Sequence, residues 1–225
     1  MDDVRSLLLV PADPDGLPDL GSDLPDATLV DLMHTDAGGH DAAVAAIATL
    51  RAAGHRVYLH TRGPQSPDLR DELLATLRDG VYGVSLPGVV HTDQLRFADS
   101  LLEDVEGRAG IEPGLTALGL WIENAAALGR VAELAAGSSR LTWLGVATAP
   151  LAMELAVDAP APALLDHARA AVVFAARASG LPAVEGLPLP ALPPHDAALR
   201  AHGLRGRLTR HPSEVAGLNA AFPSG

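Results

Sequence analysis

Glu123 closes the apolar run Leu115 to Ile122. A lone carboxylate at the end of a buried strand costs several kcal/mol unless it is ion-paired, hydrogen-bonded or coordinated to a cation. It is therefore the strongest candidate for chemistry in the chain, the alternative being a buried acid satisfied by arginine or backbone donors. Asp31 falls in a second run, Ala27 to Leu32, where it can orient groups at the strand end or be satisfied structurally. His34 follows, able to act as acid, base or ligand near neutral pH, or simply to be solvated. In a third run, Arg56 to Thr61, strand alternation sets His60 and Arg62 on one face. Arg62 there could clamp a carboxylate, or be a surface arginine opening the loop at Gly63-Pro64.

Two absences limit the chemistry further. There is no cysteine, and all 16 basic residues are arginine. Thiol catalysis and Schiff-base chemistry on a lysine are closed to this chain. So are a Walker-type lysine and cysteine-rich zinc sites.

The elements that would position these residues recur along the chain as apolar runs: Arg5 to Val10, Ala27 to Leu32, Arg56 to Thr61, Tyr82 to Leu86, Leu115 to Ile122, Leu141 to Val146, Leu181 to Gly186 and Gly206 to Arg210. Near-continuous hydrophobicity, as in Ser6-Leu7-Leu8-Leu9-Val10, fits parallel strands covered on both faces. Helical stripes lie between them: Val44, Ile47 and Leu50 in His40 to Ala53, and Leu128, Val131 and Leu134 in Asn124 to Ala136. Pro67 to Arg78, Thr92 to Glu106 and Pro162 to Ser179 read as further helices, with the prolines at helix starts. The stretch Pro11 to Pro25 holds prolines 11, 14, 18 and 25, so the first crossover is expected to be a loop with little helix. Pro188 to Pro194 could be a linker, but too little chain follows it for a second core. Strands alternating with helices predict one α/β domain over residues 1–225, a closed (β/α)8 barrel or an open doubly wound sheet. No strand is followed by G-x-G-x-x-G, which removes the main signature of the open form.

The formal charge of −12, from 28 acidic and 16 basic residues, opposes binding to a phosphate backbone. No window approaches an uninterrupted apolar span, and Met1-Asp2-Asp3-Val4-Arg5 is acidic where a secretory leader is basic. A cytoplasmic protein with no nucleic-acid or membrane partner is expected.

Several fragments, in order, resemble one family. They are Arg5-Ser6-Leu7-Leu8-Leu9-Val10-Pro11-Ala12, Val30-Asp31-Leu32, Gly83-Val84-Ser85-Leu86-Pro87, Trp121-Ile122-Glu123-Asn124, Gly180-Leu181-Pro182-Ala183 and His211-Pro212-Ser213-Glu214-Val215. Together they are similar to the citrate lyase beta-subunit-like (HpcH/HpaI aldolase) family. The resemblance implies a (β/α)8 TIM barrel that makes or breaks a carbon–carbon bond beside a carbonyl, in a hydroxyacyl-CoA thioester or a hydroxy-oxo acid. It also implies a divalent cation, commonly Mg2+, and a homo-oligomer, trimeric or hexameric.

By the same resemblance Glu123 corresponds to the first metal ligand, whereas Thr148, in Gly145-Val146-Ala147-Thr148-Ala149, stands where the second, an aspartate, is expected. A neutral hydroxyl is a poor substitute on a hard cation. Glu154 could replace it only through a rearranged loop. The family's D-L-E-D reads Asp31-Leu32-Met33-His34, and the substrate-holding arginine of the third strand is replaced by His60. Asp31, His34, His60 and Arg62 are thus the catalytic candidates. Substrate-side roles fall to Arg5, Pro87, His211 and Ser213, although the usual L-P-K reads Leu86-Pro87-Gly88. The competing expectation is a degenerate homologue that binds a small acid, a thioester or a protein partner without turnover.

Overall fold

All eight apolar runs are strands in the computed structural model, which describes residues 4–19, 21, 23–156, 162–189 and 195–222. They are β1 (Ser6–Pro11), β2 (Ala27–Asp31), β3 (Val57–His60), β4 (Gly83–Leu86), β5 (Ala117–Ile122), β6 (Leu141–Val146), β7 (Ala183–Glu185) and β8 (Gly206–Thr209). Each pairs in parallel with the next, and β1 pairs with β8, from Ser6↔Arg207 to Leu8↔Thr209, to close a barrel. This is the (β/α)8 fold expected from the pattern, and closure removes the alternative of an open sheet.

The runs are apolar on both faces because two cores use them. Outward side chains such as Leu8, Val10, Val30 and Leu59 pack against helix residues including Ile47, Leu50 and Leu102. Inward ones, among them Leu7, Leu9, Leu29, Tyr58, Trp121, Trp143, Val184 and Leu208, fill the barrel. Glycines in the strands make room for the aromatics. A Cβ on Gly119 would overlap the Trp143 ring, and one on Gly145 would overlap Trp121. The two indoles then meet edge to face with centroids 4.9 Å apart.

The helices are α1 (His40–Ala52), α2 (Leu69–Thr76), α3 (Thr92–Ala109), α4 (Ala125–Leu128), α5 (Val131–Ala135), α6 (Thr148–Glu154), α7 (Pro162–Ala178), α8 (Asp196–Ala201) and α9 (Val215–Ala221). Between β1 and β2 the described residues form only a 3-10 turn, Pro14–Gly16, as the prolines require. The single helix expected over Asn124 to Ala136 is corrected to two, α4 and α5, interrupted at Gly129 and Arg130. Its apolar stripe survives the break, since Leu128 before it packs against the core and Val131 and Leu134 after it are buried. Helix α6 starts at Thr148, where the sequence showed no stripe. Residues 190–194 of the proline-rich stretch lie outside the described residues.

At the amino end of the barrel, arginines tie elements together. Arg5 grips Asp26 through Nε and Nη2 at 2.9 and 2.7 Å. Arg140 makes a bidentate pair with the fully buried Glu106 at 2.8 and 2.9 Å, and the backbone N–H groups of Gly114 and Thr116 donate to the same carboxylate at 2.8 and 2.7 Å.

Candidate functional site

The carboxyl ends of the strands surround a cavity of about 190 Å³ floored by Leu9, Trp121 and Leu208. Its polar lining is Asp31, His34, His60, Glu123 and Arg210. Strand direction explains the gathering: Asp31 and His60 end β2 and β3, Glu123 follows β5, and Arg210 follows β8.

Glu123 is half-buried, and Gly88 donates its N–H to Oε2 at 3.0 Å. Gly88 takes φ 71°, a left-handed turn that a glycine adopts without strain. Burial pushes the Glu123 carboxyl above its ordinary pKa, and the Gly88 bond opposes this only partly. His60 is lowered, first by burial and then by Arg210, against Asp31, which raises it. Its Nδ1 lies 3.1 Å from Ser85 Oγ, which also accepts the Trp121 indole N–H at 2.8 Å. Asp31 accepts from the Met33 N–H at 3.2 Å and sits 3.8 Å from the Arg210 guanidinium, whose side chain is 60% exposed.

The remaining candidates are elsewhere. β3 ends at His60, so alternation does not extend to Arg62. The Arg62 guanidinium donates to the fully buried Glu72 at 2.6 Å and to the Thr35 carbonyl at 2.7 Å. Thr148 lines a different cavity, of about 350 Å³, between β7, α7 and α8. Its hydroxyl donates to Glu185 at 2.5 Å, and Arg169 holds the same carboxylate at 2.9 and 3.3 Å. Arg5 is at the opposite end of the barrel, on Asp26. Pro87 forms the turn that delivers Gly88 but is absent from the cavity lining. His211 and Ser213 are exposed, in the 3-10 turn before α9. Glu154 is absent from the cavity lining and accepts the Ala125 N–H at the start of α4, at 2.7 Å.

Sequence reasoning overlooked Arg210, Ser85 and Trp121. Arg210 was legible as the charged residue that closes the eighth apolar run, at the strand end corresponding to the one that Glu123 follows in the fifth. Ser85 was legible as the single hydroxyl within an apolar strand.

A family model described as HpcH/HpaI aldolase/citrate lyase matches residues 5–193. The chain belongs to that family. Within the solved structures, RipC from Yersinia pestis is 19% identical, with 99% of this chain and 98% of that one covered and a TM-score of 0.74. The citrate lyase beta subunit of M. tuberculosis, complexed with oxaloacetate and magnesium, is 19% identical over 99% and 98% of the two chains, with a TM-score of 0.73. The malate synthase of Haloferax volcanii, as its magnesium/glyoxylate complex, is 20% identical over 100% of this chain and 77% of that one, with a TM-score of 0.76. At these identities the likeness is one of fold. No functionally curated protein matches the chain.

Among the described residues of this family member, no group of three or more His, Asp or Glu side chains is arranged to hold a metal ion. Nor is any described helix long and apolar enough to cross a membrane.

Proposed function

We propose that this chain uses the barrel mouth to bind a small oxo or hydroxy acid, or the corresponding acyl thioester, without the magnesium-assisted carbon–carbon chemistry implied by the resemblance. The observation that carries the reading is the fate of Thr148. At the position of the second family ligand there is a hydroxyl, and it is committed to Glu185 in a separate cavity. Glu123 is left as one carboxylate, and one of its oxygens already takes the Gly88 N–H. Magnesium requires near-octahedral oxygen ligation and usually draws on more than a single carboxylate. The donor set of Glu123 and Thr148 does not fit it.

What the mouth does offer suits an acid. Arg210 supplies a guanidinium for a carboxylate. Glu123, raised by burial, can hold a proton and share it with a ligand oxygen. The volume is below that of pockets for drug-sized ligands and suits a molecule of a few carbons.

The competing reading, a working metal-dependent lyase, draws on one observation: Asp31 and Glu123 line the same cavity. Calorimetry separates the two. Titration with magnesium up to millimolar levels is expected to give no binding heat, and malyl- and citramalyl-thioesters are expected to remain intact. Glyoxylate or oxaloacetate should bind with or without the metal, at least tenfold more weakly after Arg210→Ala. Magnesium binding that Glu123→Ala abolishes, or cleavage of either thioester, would overturn the proposal in favour of the lyase.

A further inference from the structure

Ser85 in β4 has no solvent exposure, and its hydroxyl lies between two partners. One is the Trp121 Nε1–H, which can only donate and does so at 2.8 Å. The Ser85 hydroxyl needs an acceptor for its own proton, because a buried donor left without one costs about 1–3 kcal/mol. The other polar atom within hydrogen-bond distance of that hydroxyl among the described residues is His60 Nδ1, at 3.1 Å, which accepts in one tautomer and donates in the other. A proton on Nδ1 could use the second lone pair of that oxygen, but it would leave the serine proton without an acceptor among its hydrogen-bond partners. The arrangement therefore runs in one direction, from Trp121 N–H to Ser85 Oγ and from Ser85 O–H to His60 Nδ1. In a neutral imidazole the remaining proton is then on Nε2.

We infer that His60 is a fixed neutral N–H donor in the barrel mouth, held in its Nε2–H tautomer by Ser85 and Trp121, and that it hydrogen-bonds the carbonyl oxygen of a 2-oxo acid whose carboxylate meets Arg210. This rests on the acid-binding reading above and narrows it to a class. Asp31 and Glu123 in the same lining are acceptors when ionised, so they cannot bind a carbonyl oxygen in that state. His60 supplies a neutral donor that does not depend on either carboxyl being protonated. A neutral donor also distinguishes carbonyl from carboxylate less by charge than by position, which leaves the anionic end of the ligand to the arginine. Ser85 is a positioning residue here, since it reaches the ligand only through His60. Burial keeps the ring uncharged near neutral pH, consistent with this role.

The placement of the proton is directly observable. Long-range nitrogen–proton NMR on histidine-labelled protein, with the His60 signals assigned by their loss in His60→Gln, should show the Nε2–H tautomer at pH 7. Ser85→Ala should convert His60 to a mixture of tautomers. Glyoxylate should shift Nε2 in the wild type far more than acetate does. Glutamine at position 60 can accept from Ser85 and donate into the mouth, so His60→Gln should keep glyoxylate affinity within about threefold, and His60→Leu should lose at least tenfold.

An Nδ1–H tautomer, a charged ring at pH 7, or equal affinity of the glutamine and leucine variants would overturn the inference. If the tautomer is as stated and neither glyoxylate nor oxaloacetate binds, the acid-binding reading fails while the proton placement stands.

Discussion

Glu123 joins a functional position to a cost in stability. Burial raises its pKa above 4.5, so the folded protein holds this proton more tightly than the unfolded chain does. The sign follows from linkage: its favourable contribution is complete below pH 4.5 and is lost as pH rises through the folded-state value. Glu123→Gln, which stays neutral, is expected to melt at a higher temperature than the wild type at pH 8 and at the same temperature at pH 4. Equal melting temperatures at both pH values would show that the carboxylate is fully compensated in the fold. This residue was legible in the sequence because an acid ending an apolar run is conspicuous. The environment of Arg62 was not, because its partner Glu72 sits on a helix ten positions away and nothing in local alternation links them. Thr148 was legible as a substitution, but its engagement by Glu185, 37 residues on, was not.

At the scale of elements, the buried pair of Arg140 and Glu106 ties α3 to the starts of β5 and β6. Burial alone would raise the Glu106 carboxyl, but the Arg140 side chain and the Thr116 and Gly114 donors outweigh it and hold the pKa at about 2. A depressed acid stabilises above its unfolded value, and the benefit disappears as pH falls from 4.5 to about 2. Its size is about 3 kcal/mol on the scale of 1.36 kcal/mol per pKa unit. Acid titration of stability should therefore show a loss in that window, absent in Glu106→Gln. That variant should itself be less stable at pH 7 by about 2–4 kcal/mol, since it leaves buried Arg140 only the longer 3.7 Å charge contact with Asp99. The strands were read from the sequence to within two residues because β-barrel strands covered on both faces are uniformly apolar. Helices α6 and α8 were missed because six or seven residues are too short to show a stripe, and the break at Gly129 because the stripe continues across it.

On the scale of the whole molecule, closure of the ring depends on the seam between β8 and β1. A Cβ on Gly206 would collide with the backbone carbonyls of Val4 and Arg5. Gly206→Ala should therefore cost more than about 4 kcal/mol or prevent folding, the scale reserved for changes the backbone cannot absorb. Gly107→Ala, in α3 with open space around it, should instead gain about 0.5–1 kcal/mol. Similar urea midpoints for the two variants would show that the seam tolerates displacement.

The same ring places both of the chain's tryptophans side by side in its interior, one of them hydrogen-bonded to the serine that faces His60. One indole lines the mouth, and the other packs against it inside the barrel. The protein's intrinsic fluorescence and near-ultraviolet dichroism should consequently respond to occupancy of the mouth and to opening of the barrel alike, without a label, and the two events can be told apart by whether the emission maximum moves to the red.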